Sequence, residues 1–222
     1  MRNKTFKKLR FIVTAGPTRE YFDPVRYISN RSSGKMGYAI ADAARRRGHS
    51  VILVSGPVAL KPPACVITKS VVSSDDLFSS LKSNMKKCDV LVMAAAVCDF
   101  KPAFQSRQKI KKNTVNIPLR IIPTIDVLRS IEKFKKGRFF VGFAAETNDV
   151  LPNAYKKLME KGLDMIVAND VSSPVAGFES DDNKVSIMFS GQKRATNWPL
   201  MSKKSVARML VLEIEKKIQA SR

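Results

Sequence analysis

Histidine, cysteine and acidic side chains are scarce in this 222-residue chain, and each shortage excludes something. His49, the only histidine, follows "ARRRG" at the end of a helix-like run. A basic group there complements the helix dipole, so a structural role is expected rather than catalysis. The three cysteines, Cys65, Cys88 and Cys98, are odd in number and show no CxxC spacing. That excludes a disulfide framework and a zinc site, and Cys98 reads as a small buried hydrophobe. No window of about 18 apolar residues exists, so no membrane partner is expected. The basic start, "MRNKTFKKLR", leads into a short strand-like run instead of the apolar region and cleavage site of a secretory signal, and a cytoplasmic protein is expected.

Only 19 acidic residues oppose 40 lysines and arginines, leaving a net charge of +21. A balance this basic suits an acidic partner. The charge is scattered along the chain, in "ARRRG", "MKKC", "KIKK" and "KFKKG" among others, so a dedicated nucleic-acid face is not expected. Neither GxGxxG nor GxxxxGK[ST] occurs, which removes the standard dinucleotide fingerprint and the P-loop.

What is present is alternation. Apolar runs at 11–16, 51–54, 64–67, 89–94, 138–142 and 164–168 read as strands. Helical patterns at 34–47, 74–87, 123–135 and 150–161 separate most of them. Ser73 or Ser74 is the expected cap of the second helix, with acids in its first turn. Strands that are apolar throughout, spaced by helices, imply a parallel sheet covered on both faces. The predicted fold is therefore α/β: a Rossmann-like, doubly wound, mostly parallel sheet. Residues 177–190 change character and predict a small hairpin extension. Residues 202–219 close the chain as an amphipathic helix capped by Ser202, with Trp198 before it as a packing anchor. With 44% hydrophobic residues and no linker, 1–222 reads as one domain carrying a basic segment at 1–10.

In such sheets ligands bind beyond the carboxyl ends of the strands. Those ends here read "TAGPTRE", "SGPV", "AAAVCDF", "GFAAET" and "ANDVSS", all small or polar. "SNRSSGKMG" opens the first helix, where Ser32 and Ser33 can cap it and free N–H groups favour an anion. "KIKK" at 109–112 suits polyphosphate, and Lys157 and Lys161 share one helix face. Asp99, at the end of a buried strand, can hold Mg²⁺ or cap a turn.

Together, "TAGPTREYFDPVRYISNRSSGKMGYAIA", "LVSGPV", "AAAVCDF", "KIKK", "VGFAAET" and "DMIVANDVS" resemble the phosphopantothenoylcysteine synthetase family of coenzyme A biosynthesis. The resemblance runs from about residue 11 to about residue 210, and the "SNxSSGKMG" form is similar to the bacterial, CTP-dependent type. It implies a cytoplasmic ligase for 4'-phosphopantothenate and L-cysteine, using CTP as co-substrate and a divalent cation such as Mg²⁺. It implies no flavin, because the flavin-dependent decarboxylase often fused to this domain has no counterpart here. The chain resembles a stand-alone synthetase or an excised domain; in the first case a separate decarboxylase protein is an expected partner, besides a second copy in a homodimer that shares its substrate sites.

By the same resemblance Asn30, Arg26 and Lys109 are the catalytic candidates. Asn30 would hold the acyl-cytidylate, Arg26 a substrate phosphate or the intermediate, and Lys109 the charge at the reacting phosphate. Met93, Ala94, Ala95, Asp99, Asp126, Phe143, Lys157 and Lys161 would bind nucleotide, with Asp99 also the metal ligand. Two positions depart from the family pattern: Ile125, where proline is usual, and Cys98, where alanine is common. The competing readings are an NAD(P)-dependent oxidoreductase and a nucleic-acid-binding protein. The first lacks the glycine-rich turn and an acid ending the second strand; the second lacks a basic face.

Overall fold

A computed structural model describes residues 7–112, 119–170, 180–192 and 194–220. In chain order the elements are β1 (Arg10–Ala15), β2 (Arg19–Tyr21), β3 (Tyr27–Ser29), α1 (Lys35–Arg46), β4 (Ser50–Ser55), β5 (Ile67–Ser70), α2 (Ser74–Asn84) and β6 (Val90–Met93). There follow β7 (Phe100–Pro102), β8 (Ile121–Pro123), α3 (Val127–Ile131), β9 (Phe139–Glu146), α4 (Val150–Glu160) and β10 (Met165–Asp170). The chain closes with β11 (Asp182–Asn183), β12 (Val185–Phe189), β13 (Thr196–Asn197), β14 (Met201–Ser202) and α5 (Lys203–Ala220).

The main sheet has eight strands in the order β13-β12-β10-β9-β6-β1-β4-β5. The six from β10 to the edge strand β5 are parallel, and β12 and β13 add antiparallel at the other edge. The chain leaves β1 toward β4 and β5, then returns to β6 on the other side of β1. The strand order reverses there, which makes the gap between β1 and β6 the topological switch point.

Strand pleating sends alternate side chains to opposite faces. Phe11, Val13 and Ala15 pack under α1 and α5, while Ile12 joins Leu77, Leu81, Ile131 and Leu158 beneath α2, α3 and α4. Both clusters are buried, so every central strand reads apolar throughout. Helix α1 sits close to β1 because residue 37 is glycine: a Cβ there would stand 2.5 Å from the Ala15 Cβ. His49 is buried under the same face. Its ring stacks on Phe11 with centroids 4.9 Å apart, its Nδ1 accepts the Leu9 N–H at 3.2 Å, and its Nε2 lies 2.7 Å from the Glu215 carboxylate. Arg47 grips the same carboxylate through two 2.6 Å bonds, which fastens α5 to the end of α1.

Several expectations are refined. The strand expected at 64–67 lies at Ile67–Ser70, because Cys65 turns with a positive φ of 58° and β5 is an exposed, polar edge. The helix expected from 123 starts at Val127: Pro123 ends a strand and Asp126 caps the helix by accepting the Arg129 N–H at 3.1 Å. Residues 177–179 of the expected hairpin lie outside the described residues, and β12 takes β10 and β13 as its antiparallel partners. Ser73 caps α2 in a reciprocal capping box with Asp76, and the Ser202 hydroxyl accepts the Ser205 N–H at 3.2 Å. Trp198 and Cys98 are buried as expected. Among the described residues no helix is long and apolar enough to cross a membrane.

Candidate functional site

A cavity of about 560 Å³ opens at the switch point. Its wall is collected from distant parts of the chain: the loop from Asn30 into α1, the end of β6 through Asp99, the turn Thr124–Leu128, Phe143–Ala145 of β9, and Lys157 and Lys161 along α4. The structure thus brings together Asn30, Met93, Ala94, Ala95, Asp99, Asp126, Phe143, Lys157 and Lys161. It does not place Arg26 or Lys109 in that wall.

The β6 end is held open by hydroxyl groups. Beyond Met93 the Thr14 hydroxyl accepts the Ala95 N–H at 3.0 Å and the Thr18 hydroxyl accepts the Cys98 N–H at 2.9 Å. The Thr124 hydroxyl donates to the Cys98 carbonyl at 2.6 Å. The Asn30 side-chain amide donates to the Val97 carbonyl at 3.0 Å, leaving its own oxygen for a ligand. Buried backbone polar groups need partners, and here side chains supplement the backbone after β1, which itself pairs with Ala96. Burial raises the Cys98 thiol above its ordinary range, and hydrogen bonds from the Thr18 side chain and then the Asn30 backbone only partly offset this. The Cys88 thiol is pushed up to about 12 by burial. Both are neutral packing groups.

The cap expected at α1 is corrected. Gly34, with φ of 76°, occupies the cap position and has no side chain of its own to cap the helix, while the Ser32 hydroxyl accepts the Gly34 N–H at 3.4 Å. Ser32–Gly37 line the cavity, and a helix start there suits an anion. The lysines add charge. Burial pushes the Lys157 ammonium below its usual range, partly offset by Glu146 and Asp99, and its Nζ donates to the Phe143 carbonyl at 2.9 Å. Lys161 pairs with Asp126. Burial would raise the Asp126 carboxyl, but Lys161 and the Arg129 N–H outweigh it and hold it below the usual carboxylate range.

Asn169, Asn183 and Lys203 also line the cavity and were not anticipated. "ANDVSS" flagged the first as part of a strand end. Asn183 and Lys203 carried no signal, since a two-residue strand and a helix's first lysine show no periodicity. Asn183 is 3% exposed, and its Oδ1 has no partner among the described residues.

No group of three metal-ligating side chains occurs among the described residues. Asp99 has no side-chain ion pair there and faces the cavity. One such carboxylate is enough where a nucleotide's phosphates supply the remaining oxygens of a Mg²⁺ shell.

A doubly wound sheet with a lysine-lined cavity at its switch point defines an α/β domain with a ligand site in the place this fold class provides. The chain belongs to the family described as the DNA/pantothenate metabolism flavoprotein C-terminal domain, whose model matches residues 6–218. It is 42% identical over 97% of its length to the coenzyme A biosynthesis bifunctional protein CoaBC of Vibrio vulnificus strain CMCP6, covering 53% of that protein. It is 44% identical over 91% of its length to the Bacillus subtilis strain 168 protein of the same name, covering 50% of it. The chain therefore spans about half the length of these curated relatives. Among solved structures, the C-terminal domain of a CoaBC protein superposes with a TM-score of 0.82 at 39% identity, covering 96% of both chains. The DNA/pantothenate metabolism flavoprotein from Streptococcus pneumoniae shares the fold, with a TM-score of 0.78 at 22% identity and 96% and 100% coverage.

Proposed function

We propose that this chain is a phosphopantothenate–cysteine ligase, which joins 4'-phosphopantothenate to L-cysteine with CTP. The carrying observation is the cavity itself: residues from five separated segments, singled out by motif resemblance, line one space at the switch point. The match to the C-terminal domain of a CoaBC protein over 96% of both chains supports the same reading.

A carboxylate oxygen of 4'-phosphopantothenate attacks the α-phosphorus of CTP, the α–β bridge breaks, and pyrophosphate leaves with that electron pair. The cysteine amine then attacks the acyl carbon, loses a proton, and CMP leaves. Both reactants of the first step are anions, so the protein's task is positioning and charge compensation. Lys157 and Lys161 provide fixed positive charge, and the start of α1 adds the positive end of its helix dipole. The open oxygen of the Asn30 amide orients the intermediate. Met93, Ala94 and Ala95 expose backbone to the nucleotide, and Phe143 offers a ring beside it. When bound, Mg²⁺ at Asp99 screens the triphosphate charge. Arg26 and Lys109 act from outside the cavity wall.

A homodimer in a cytoplasmic setting completes the reading. Val25, Tyr27, Phe100, Phe104 and Ile121 are exposed on or beside the small ribbons β2–β3 and β7–β8. A second copy would cover this apolar face, and light scattering at the enzyme's working concentration tests it. The function is tested by pyrophosphate release from CTP and 4'-phosphopantothenate, without cysteine and with it. Release that requires 4'-phosphopantothenate supports the reading, and none with any nucleoside triphosphate sinks it. Equal rates with ATP would overturn the choice of CTP.

A further inference from the structure

Asp23 is ionisable, yet its side chain is wholly buried. It lies in the turn between β2 and β3. One carboxylate oxygen accepts the Val25 N–H at 2.8 Å and the Arg26 N–H at 2.7 Å. This is an ordinary turn, which an asparagine oxygen would make equally well. The second oxygen does something else. It accepts the Ile110 N–H at 3.3 Å and an Arg26 guanidinium N–H at 3.2 Å. The same guanidinium donates onward to the Ile110 carbonyl at 3.3 Å. A parallel tie runs from the Ser106 N–H to the Phe22 carbonyl at 2.9 Å.

Only a carboxylate accepts on both sides in this way. An amide would turn its NH₂ toward the Ile110 N–H and the guanidinium, donors facing donors. Burial opposes the charge on Asp23, but the three backbone N–H groups and Arg26 outweigh it and keep the carboxyl below its usual range. Positions 23 and 110 are 87 residues apart, so local turn formation does not account for the contact. What the contact joins is specific: Arg26 on one side and, one residue from Ile110, Lys109 on the other. These are the two candidate site residues that stand outside the cavity wall.

We propose that Asp23 is a positioning residue that holds Arg26 and Lys109 as one basic unit. The tether stands on the geometry alone; its consequence for turnover rests on the function proposed above. Asp23→Asn keeps the local turn and breaks the long-range tie. Limited trypsin digestion of the whole protein should then cut after Lys109, Lys111 and Lys112 about tenfold faster than in wild type, the scale of one lost charge-assisted hydrogen bond. Pyrophosphate release should fall, and Asp23→Asn should slow the Arg26→Gln, Lys109→Ala double variant no further. Wild-type digestion rates at those lysines would overturn the tether, as would a further loss when Asp23→Asn is added to that double variant. If the wild-type protein releases no pyrophosphate, the ligase reading fails and the digestion result still decides the tether. Should Asp23→Asn not fold, Arg26→Gln removes the guanidinium bonds while leaving the carboxylate, and the same digestion pattern is expected to a smaller degree.

Discussion

The cavity wall and the Arg26–Lys109 unit are built on opposite plans. The wall is made from the ends of buried strands, and beyond Met93 the Ala95 and Cys98 N–H groups are tied to the buried Thr14 and Thr18 side chains. The basic unit rides on short two-stranded ribbons outside the main sheet, and one buried carboxylate ties it together. The wall is stiff because unmaking it exposes core. The unit can shift at the cost of a few hydrogen bonds. A ligase acting on two anions can use both: a fixed floor that sets where the phosphates lie, and a charge that adjusts over them.

The sharpest challenge to this contrast is Asn30→Asp. Asn30 is exposed, so the fold should persist with an unchanged melting temperature. A carboxylate there faces both the Val97 carbonyl and the anionic intermediate, and pyrophosphate release should fall by about 10²-fold. Near wild-type release would remove Asn30 from the reaction. Lys109→Ala should come next, slowing turnover about tenfold or more while leaving urea stability within about 0.5 kcal/mol. A large stability loss would show that the unit belongs to the core after all. Thr18→Val tests the floor. It strands the buried Cys98 N–H and should cost about 1–3 kcal/mol of stability, with Thr18→Ser restoring most of it. An unchanged melting curve for the valine variant would mean that the strand end is not held as described. The smallest effect belongs to Asp126→Asn, which keeps a cap on α3 and removes the charge opposite Lys161. Because the folded-state carboxyl is depressed, its stabilisation is present above the unfolded-state value of about 3.9 and is lost as pH falls through the folded one. The urea-stability gap between wild type and variant should be under about 1 kcal/mol at neutral pH for a part-exposed pair and should close below about pH 4. A gap that widens on acidification would reverse the sign.

Much of this was legible in the sequence. "FIVTAG" and "DVLVMA" are apolar throughout because β1 and β6 are covered on both faces, and that pattern predicts a central parallel sheet. Ser73 and Ser74 followed by acids announce a capped helix, and the structure gives the cap to Ser73. The edge strand β5 was placed three residues early because "ITKS" is polar and exposed, so nothing in its composition marks a strand. The start of α3 was placed too early because Thr124 and Ile125 fit a helical pattern that Pro123 and the Asp126 cap override. At the site, residues on long motifs were found and those on short elements were not. Asn183 and Lys203 meet the cavity only because β11 pairs with β14, a contact between distant positions that no local window contains. The separation of Arg26 and Lys109 from the wall was invisible for the same reason.

The buried pair of His49 and Glu215 has a consequence in time. It joins positions 166 apart in the chain, so its closure is expected to follow assembly of the sheet face on which α1 and α5 pack. His49 is also the chain's single histidine. One imidazole resonance, free of overlap, therefore works as a clock for the last stage of folding. A histidine signal that reaches its native position before the strand amides are protected would stop that clock.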